Sequence, residues 1–324
     1  MSLPLIITAV VSISILVMLS IGFTFTYMMD KFPNFAHTSF ASIGTMVTFY
    51  YVKLHGWNPY HTWPISMLVG GIIGVFLYLV IVNPIQKQGY REITLTFTFL
   101  IISQMISSFI GVFSYWLLNF KRLSSFSFIL RAEDFSWNGI PGIGLAAPLT
   151  TIFLVGGLWL FLNRVKFGIA MRATAEDEFL AASLGVNIRF IHISSWFLSG
   201  MLSSLAGSII PLWQGTAIDY SDELLVSVMA ASVLGGLDSI TGAIIGGVLV
   251  ATSQKTLSYL LVRVIGVWMG AYEALLPIIF LFTALVIEPR GLIALKGKQI
   301  TIKNIKDSLT RLVANMRNML SLEW

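Results

Sequence analysis

Apolar positions run along this chain in blocks rather than stripes. Stretches at 5–29, 38–52, 63–83, 93–118, 145–162, 190–213, 223–237, 240–261 and 265–287 are long enough to cross, or nearly cross, a bilayer. They lack the period-two alternation of barrel strands, and only helices or closed barrels satisfy their backbone in hydrocarbon. The pattern predicts an all-α polytopic transmembrane bundle of about eight to ten spanning or half-spanning helices, some discontinuous. The segment at 223–237 is short, and Gly235-Gly236 followed by Asp238 breaks its apolar density. It and 240–261 therefore read as one re-entrant or broken unit.

The polar interruptions carry the remaining information. At 173–186 the chain reads ATAEDEFLAASLGV, and no span tolerates Glu176, Asp177 and Glu178 in succession. Thr174 with Asp177 three residues later is a capping-box pattern, the acids suit the first turn of a helix, and Gly185 stands where a left-handed cap belongs. A short helix over 175–184 is expected, with Phe179, Ala182 and Val186 on one side and small Ala181 and Ser183 allowing close approach. Such a helix is too short to hold alone in water. It either docks on a partner or folds back onto its own membrane domain.

Asn34 and His37 follow Pro33 between two apolar blocks. They lie in a cytoplasmic turn or in a break within a discontinuous helix, whose free backbone ends near the midplane suit a polar solute. A histidine bonded to helix backbone for packing is the plainer alternative. Glu273 is the one acid well inside an apolar run, a functional candidate by position that also stands close enough to the outer interface to reach it. Glycines at 70, 71, 74, 235, 236, 242, 246 and 247 have small-xxx-small spacing, which lets helices approach closely. The loops at 55–63 and 119–144 read as lids or docking surfaces, with turn chemistry at Gly139, Pro141 and Gly142 and strand-like alternation at 125–128. From Lys296 to Trp324 a basic amphipathic tail is expected, against the inner leaflet or a partner. Residues 1–295 then form the membrane domain and 163–189 its principal cytoplasmic loop.

Composition narrows this further. Of the 324 residues 56% are apolar and only 11% charged, with a mean hydropathy of +0.84, against about 25% charged in soluble domains. The net charge of +5 reflects positive-inside bias and anionic lipid rather than nucleic acid. Lys31, Lys87, Arg91, Arg164, Lys166, Arg172, Arg189 and the basic residues from Arg290 to Arg317 fall on one side if 163–189 and the C-terminus share it, which makes that side cytoplasmic. The N-terminus then lies outside, and Leu3 onward reads as a retained span rather than a signal peptide. With no cysteine, disulfides and thiolate metal sites are excluded. His37, His55, His61 and His192 lack metal-ligand spacing, and the chain carries no phosphate-binding P-loop, so it cannot hydrolyse ATP by that route.

Four passages together are similar to the branched-chain amino acid permeases of ABC transporters. GIAMRATAEDEFLAASLGVNI at 168–188 resembles their cytoplasmic coupling loop, and FPNFAHTSFASIGTMVTFY at 32–50 their Asn-Phe-Ala-His signature with the helix after it. SVLGGLDSITGAIIGGVLVA at 232–251 resembles their late glycine-rich segment, and VIEPRGLIA at 286–294 their closing Pro-x-Gly-Leu. The order and spacing fit over residues 15–295. Thr38 stands where a glycine commonly follows the histidine, which bears on specificity more than architecture.

The resemblance implies a permease subunit of an ATP-driven importer in the plasma membrane, taking branched-chain or related amino acids by alternating access. It implies two ATP-binding subunits gripping Glu178, Phe179, Ala181, Ala182 and Gly185, a second permease of the same or a paralogous kind, and an extracytoplasmic solute-binding protein. No cofactor is expected on this chain, ATP being used by its partners, and Asn34, His37, Thr38 and Glu273 become candidates for the solute path. An ion-coupled carrier, with Glu273 as its proton-bearing acid, is the competing reading. An intramembrane enzyme would need catalytic constellations that the sequence does not present.

Overall fold

The first apolar block is a single helix, α1 (Leu3–Asp30), apolar almost all round. It is the buried axis of the bundle, with Val11, Met18 and Leu19 fully enclosed, as expected of a helix hydrophobic on every side. The computed structural model describes residues 3–137, 139–217 and 220–287. The closing Pro-x-Gly-Leu passage and the basic tail lie outside them.

Eleven further α-helices follow among the described residues: α2 (Ser39–His55), α3 (Pro59–Leu77), α4 (Asn83–Lys87), α5 (Glu92–Trp116), α6 (Ile143–Arg164), α7 (Lys166–Glu176), α8 (Glu178–Ser183), α9 (Ile188–Trp213), α10 (Tyr220–Gly235), α11 (Ile240–Val264) and α12 (Leu275–Ile287). Asn58 caps α3 by accepting from the Tyr60 amide, and Pro59 occupies its first position, where a missing amide proton costs nothing. The helix then widens into a π-helical stretch, Tyr78–Val82, before α4. Pro84, which has no amide to return to the preceding turn, stands just beyond that change.

Six helical runs among the described residues are long and apolar enough to cross a membrane: Leu3–Asp30, Pro59–Lys87, Glu92–Lys121, Ile143–Arg164, Ile188–Trp213 and Ile240–Val264. The shorter α2, α10 and α12 have 17, 16 and 13 residues. The block at 265–287 is thus not one segment. A 3-10 stretch at Val267–Tyr272 precedes α12, and the chain turns at Gly266, whose φ is 134°. Likewise 223–237 and 240–261 are two helices packed on each other, joined by a tight turn at Gly236 (φ 108°). Ser239 caps the second by accepting from the Gly242 amide.

α9 packs against α1, α2 and α3 and completes the centre. Its inner face is built from small residues, Ser195, Ser199, Gly200, Ser203, Ser204, Gly207 and Ser208, all buried. Gly200 and Gly70 meet backbone to backbone, so a methyl group on either would strike the other's carbonyl oxygen. At Gly246 it would strike the Ala231 carbonyl. The glycine spacing is therefore a packing device of the kind expected where lipid offers no hydrophobic drive between helices.

The two ends of the bundle differ. At one end lies the 163–189 loop, with Lys31 paired to Asp238 at 2.7 Å. At the other, Lys53 pairs with Glu133 at 2.8 Å and Lys255 with Glu273 at 2.6 Å. The long loop at this second end folds down on the helices. Its β1 (Ser127–Phe128) pairs antiparallel with β4 (Thr216–Ala217), and β2 (Ser136–Trp137) with β3 (Ile140–Pro141), across a turn where Gly139 has φ 79°. Leu130 is fully buried, and the Arg131 guanidinium lies 4.8 Å from the centre of the Trp213 ring, so the loop is a fitted cover.

Candidate functional site

The acidic loop folds as two helices rather than one. α7 runs through Thr174 to Glu176, and the backbone then opens at Asp177, with φ −152° and ψ 103°. The cap of the short helix is consequently Asp177, whose carboxylate accepts from the Leu180 amide at 2.9 Å, and the expected helix over 175–184 begins three residues late. Thr174 donates instead to the Ala170 carbonyl within α7. Its hydroxyl is buried and turned inward, which removes it from the capping role that the spacing suggested.

The other end of α8 is as expected. Gly185 has φ 85°, the Val186 amide donates to Ala181 and the Gly185 amide to Ala182. These two bonds are a Schellman stop, and the left-handed residue they require is the reason for glycine there. Within α8 only Ala181 is buried. Phe179 is 85% exposed, Leu184 76% and Leu180 56%, so a well-terminated helix presents bare apolar side chains away from the bundle. Ala182 and Gly185 are exposed beside them.

Glu178 points the other way. Its Oε1 lies 3.8 Å from His192 Nε2 on α9, and His192 Nδ1 lies 3.0 Å from Asp30 Oδ1. Asp30, the last residue of α1, also accepts from Gln86 Nε2 at 2.9 Å and Trp196 Nε1 at 2.8 Å, with its side chain fully enclosed. Neither Asp30 nor His192 stood out in the sequence. An acid closing an apolar helix looks like an ordinary boundary residue, and only the three-dimensional convergence of its donors distinguishes it.

After Asp30 the chain does not stay at the surface. Lys31 turns it with φ 54°, and Phe32, Asn34, Ala36, His37 and Thr38 are all buried. His37 Nε2 reaches the Leu19 carbonyl at 3.0 Å. Leu19 precedes Asp30 by about three turns, placing His37 roughly 16 Å into the bundle at 1.5 Å per residue. Residues 31–38 are therefore a re-entrant, non-helical segment, from whose inner end α2 starts. Of the two readings for Pro33, a break at depth is the one found.

Irregular backbone at this depth must be enclosed by protein, and the segment meets that condition. Asn34 Oδ1 accepts from the Ala36 amide, the amides of His37, Ser39, Phe40 and Ala41 bond back within the turn, and Ser203 donates to the His37 carbonyl. Because a carbonyl only accepts, His37 Nε2 carries the proton toward Leu19, and Nδ1 accepts from the Ser199 hydroxyl at 3.2 Å. Asn34 Nδ2 and Thr38 Oγ1 remain buried without a hydrogen-bond partner among the described residues.

Glu273 lies outside the helices, between the 3-10 stretch and α12, paired with Lys255 and accepting from Ser258 at 3.3 Å. It lines a cavity of about 320 Å³ with Lys255, Gln214, Tyr220, Glu223 and Ser227 at the end opposite α8. The sequence candidates thus fall into three groups at three depths: α8 at one end, the 34–38 turn inside, and Glu273 at the other end.

A family model described as "Branched-chain amino acid transport system / permease component" matches residues 5–285. The "Probable branched-chain amino acid transport permease protein LivH" of Methanocaldococcus jannaschii is 33% identical over 292 residues, covering 90% of this chain and 92% of that protein. The "High-affinity branched-chain amino acid transport system permease protein BraD" of Pseudomonas aeruginosa is 26% identical, covering 73% and 80%. The LivH protein of Escherichia coli K12 with the same high-affinity description is 23% identical, covering 85% and 90%. A solved chain of "PsaBC from Streptococcus pneumoniae in complex with Fab" covers 90% of this chain and 94% of its own, at 14% identity and a TM-score of 0.50, a likeness of fold.

Proposed function

Because this chain belongs to the permease-component family of ABC-type branched-chain amino acid transport systems, multi-pass membrane proteins that are not themselves catalytic, we propose that it is one permease subunit of an ATP-driven importer. It moves branched-chain or related amino acids by alternating access. Two ATP-binding subunits, a second permease (identical or paralogous) and an extracytoplasmic solute-binding protein complete the machine. ATP is bound by the partners. The 163–189 loop and the C-terminus face the cytoplasm.

The observation that carries this reading is α8. Phe179, Leu180 and Leu184 stand in the open on a helix anchored by one buried alanine. A six-residue helix is held by its caps and its packing rather than by propensity, and this one turns most of its apolar surface away from its own protein. Such an arrangement suits a groove on another subunit, with Ala182 and Gly185 leaving room for close approach. Closure of the ATPases is then transmitted through α8 to the helices behind it.

For the path itself we assign Asn34, His37 and Thr38 to the inner portion and Glu273 to the outer. Two groups of the re-entrant turn, Asn34 Nδ2 and Thr38 Oγ1, are buried and unpartnered among the described residues. Each such group costs about 1–3 kcal/mol, an expense that makes sense if another arrangement of the helices presents them to a polar solute. Lys255 beside Glu273 offers both charges to a zwitterion in the 320 Å³ cavity. The pairing also speaks against Glu273 as the lone proton carrier that an ion-coupled transporter would need.

Liposomes test the reading. The purified chain alone should accumulate no labelled leucine, and uphill uptake should appear only with ATPase subunits, second permease, binding protein and ATP. Concentrative uptake by the chain alone, collapsing with an uncoupler, would establish the ion-coupled carrier instead.

A further inference from the structure

The importer reading explains why α8 faces outward but not how a push on it reaches the solute path. We propose that Asp30 and His192 are positioning residues that carry the displacement of α8 into the base of α1 and the re-entrant segment. The inference rests on that reading and goes beyond it.

The connection is short and continuous. Glu178 opens α8, and its carboxylate lies 3.8 Å from His192 Nε2; the other ring nitrogen lies 3.0 Å from Asp30. The imidazole cannot swing freely between them. It is stacked on Tyr78, with ring centres 5.7 Å apart and planes 7° from parallel, and Tyr78 begins the π-helical stretch that follows α3. A shift of α8 that carries Glu178 with it therefore changes the charge facing a ring already fixed by Tyr78 and Asp30.

Asp30 in turn cannot stay behind. Its carboxylate is enclosed, with hydrogen-bond donors from Gln86 on α4 and Trp196 on α9 and the His192 ring 3.0 Å away. A buried charge that loses donors has no water to replace them, so it follows the groups that hold it. Phe32, two residues on, stacks on the same Trp196, with ring centres 6.4 Å apart and planes at 30°, and Asn34 to Thr38 follow directly. Carboxylate, imidazole and indole thus link the docking helix to the turn that carries His37. Linked contacts of this kind transmit a change only where the elements they join have two arrangements, which alternating access supplies.

The test uses the whole transporter in proteoliposomes, with labelled-leucine uptake and ATP hydrolysis measured on the same vesicles. His192→Phe keeps the stack on Tyr78 and removes both polar contacts. Its expected result is unchanged co-purification of the ATPase subunits, unchanged basal hydrolysis, and a fall of about fivefold or more in leucine carried per ATP, the lower end of typical coupling effects. If that variant does not assemble, Asp30→Asn is judged by the same ratio. A ratio that stays at the wild-type value, or uptake and hydrolysis falling together in proportion to lost assembly, overturns the proposal and reduces the pair to packing. Wild-type vesicles that show no ATP-dependent uptake would instead overturn the importer reading beneath it, and the proposal with it.

Discussion

The imidazole of His37 holds the carbonyl oxygen of Leu19 at 3.0 Å, eighteen residues back along the chain. That contact pins the turn after α1 deep between α1 and α9 rather than at the membrane surface. His37→Ala removes two hydrogen bonds and leaves a void beside Gly22, against which the ring packs. The expected loss is about 2–4 kcal/mol, from the cavity together with an unpaired Ser199 hydroxyl. Thermal unfolding of the purified variant measures it, and a melting temperature equal to wild type would remove His37 from the core.

Helix contact at the glycines gives a second expectation. Gly246→Leu drives a side chain into the Ala231 carbonyl, where only backbone can yield. Overpacking of this kind costs about 1–3 kcal/mol or more. The variant should extract from membranes in lower yield and aggregate at a lower temperature than Ile245→Leu, one residue away and half exposed. Equal behaviour of the two would mean that α10 and α11 are not in contact there.

The cap of α8 can be tested by paired substitutions. Asp177→Ala deletes the acceptor for the Leu180 amide and should cost α8 about 1 kcal/mol, whereas Asp177→Asn keeps an oxygen in place. ATPase subunits should co-purify less well with the alanine variant and nearly normally with the asparagine one. Thr174→Val should leave docking unchanged, because that hydroxyl bonds inside α7. Loss of docking in Thr174→Val alone would restore the capping role that the structure denies it.

Much of this fold is legible in the sequence. The long apolar blocks are helical, because a run such as 5–29 leaves its backbone no other way to bond in hydrocarbon. Gly185 announced its left-handed stop, and its neighbours supplied the bonds. The sequence misled at Thr174, where the right residue at the right spacing lay one helix too early. It was silent about Asp30, whose role depends on Gln86, His192 and Trp196 arriving from distant parts of the chain. It does not mark the break before α12, because Val267 to Tyr272 is apolar enough to extend the block at 265–287, and the turn at Gly266 and the 3-10 stretch after it are seen only in the structure.

At the opposite end, the Lys255–Glu273 pair makes a kinetic expectation. Glu273→Gln keeps the shape of the cavity and removes the carboxylate paired with Lys255. Uptake should show a raised KM for the solute with assembly and basal ATP hydrolysis unaltered. A carrier that moved protons on this acid would lose transport altogether, and an unchanged KM would exclude Glu273 from the path.

The most direct measurement is ATP-driven uptake by a transporter carrying Gly185→Asp. An L side chain at φ 85° is strained by about 1–2 kcal/mol relative to glycine, and the carboxylate adds charge to the face that Phe179 and Leu184 leave open. The membrane domain should assemble and bind its second permease, while ATPase subunits dissociate and leucine uptake is lost. Normal uptake with the ATPases still attached would contradict the assignment of α8 as the surface they grip.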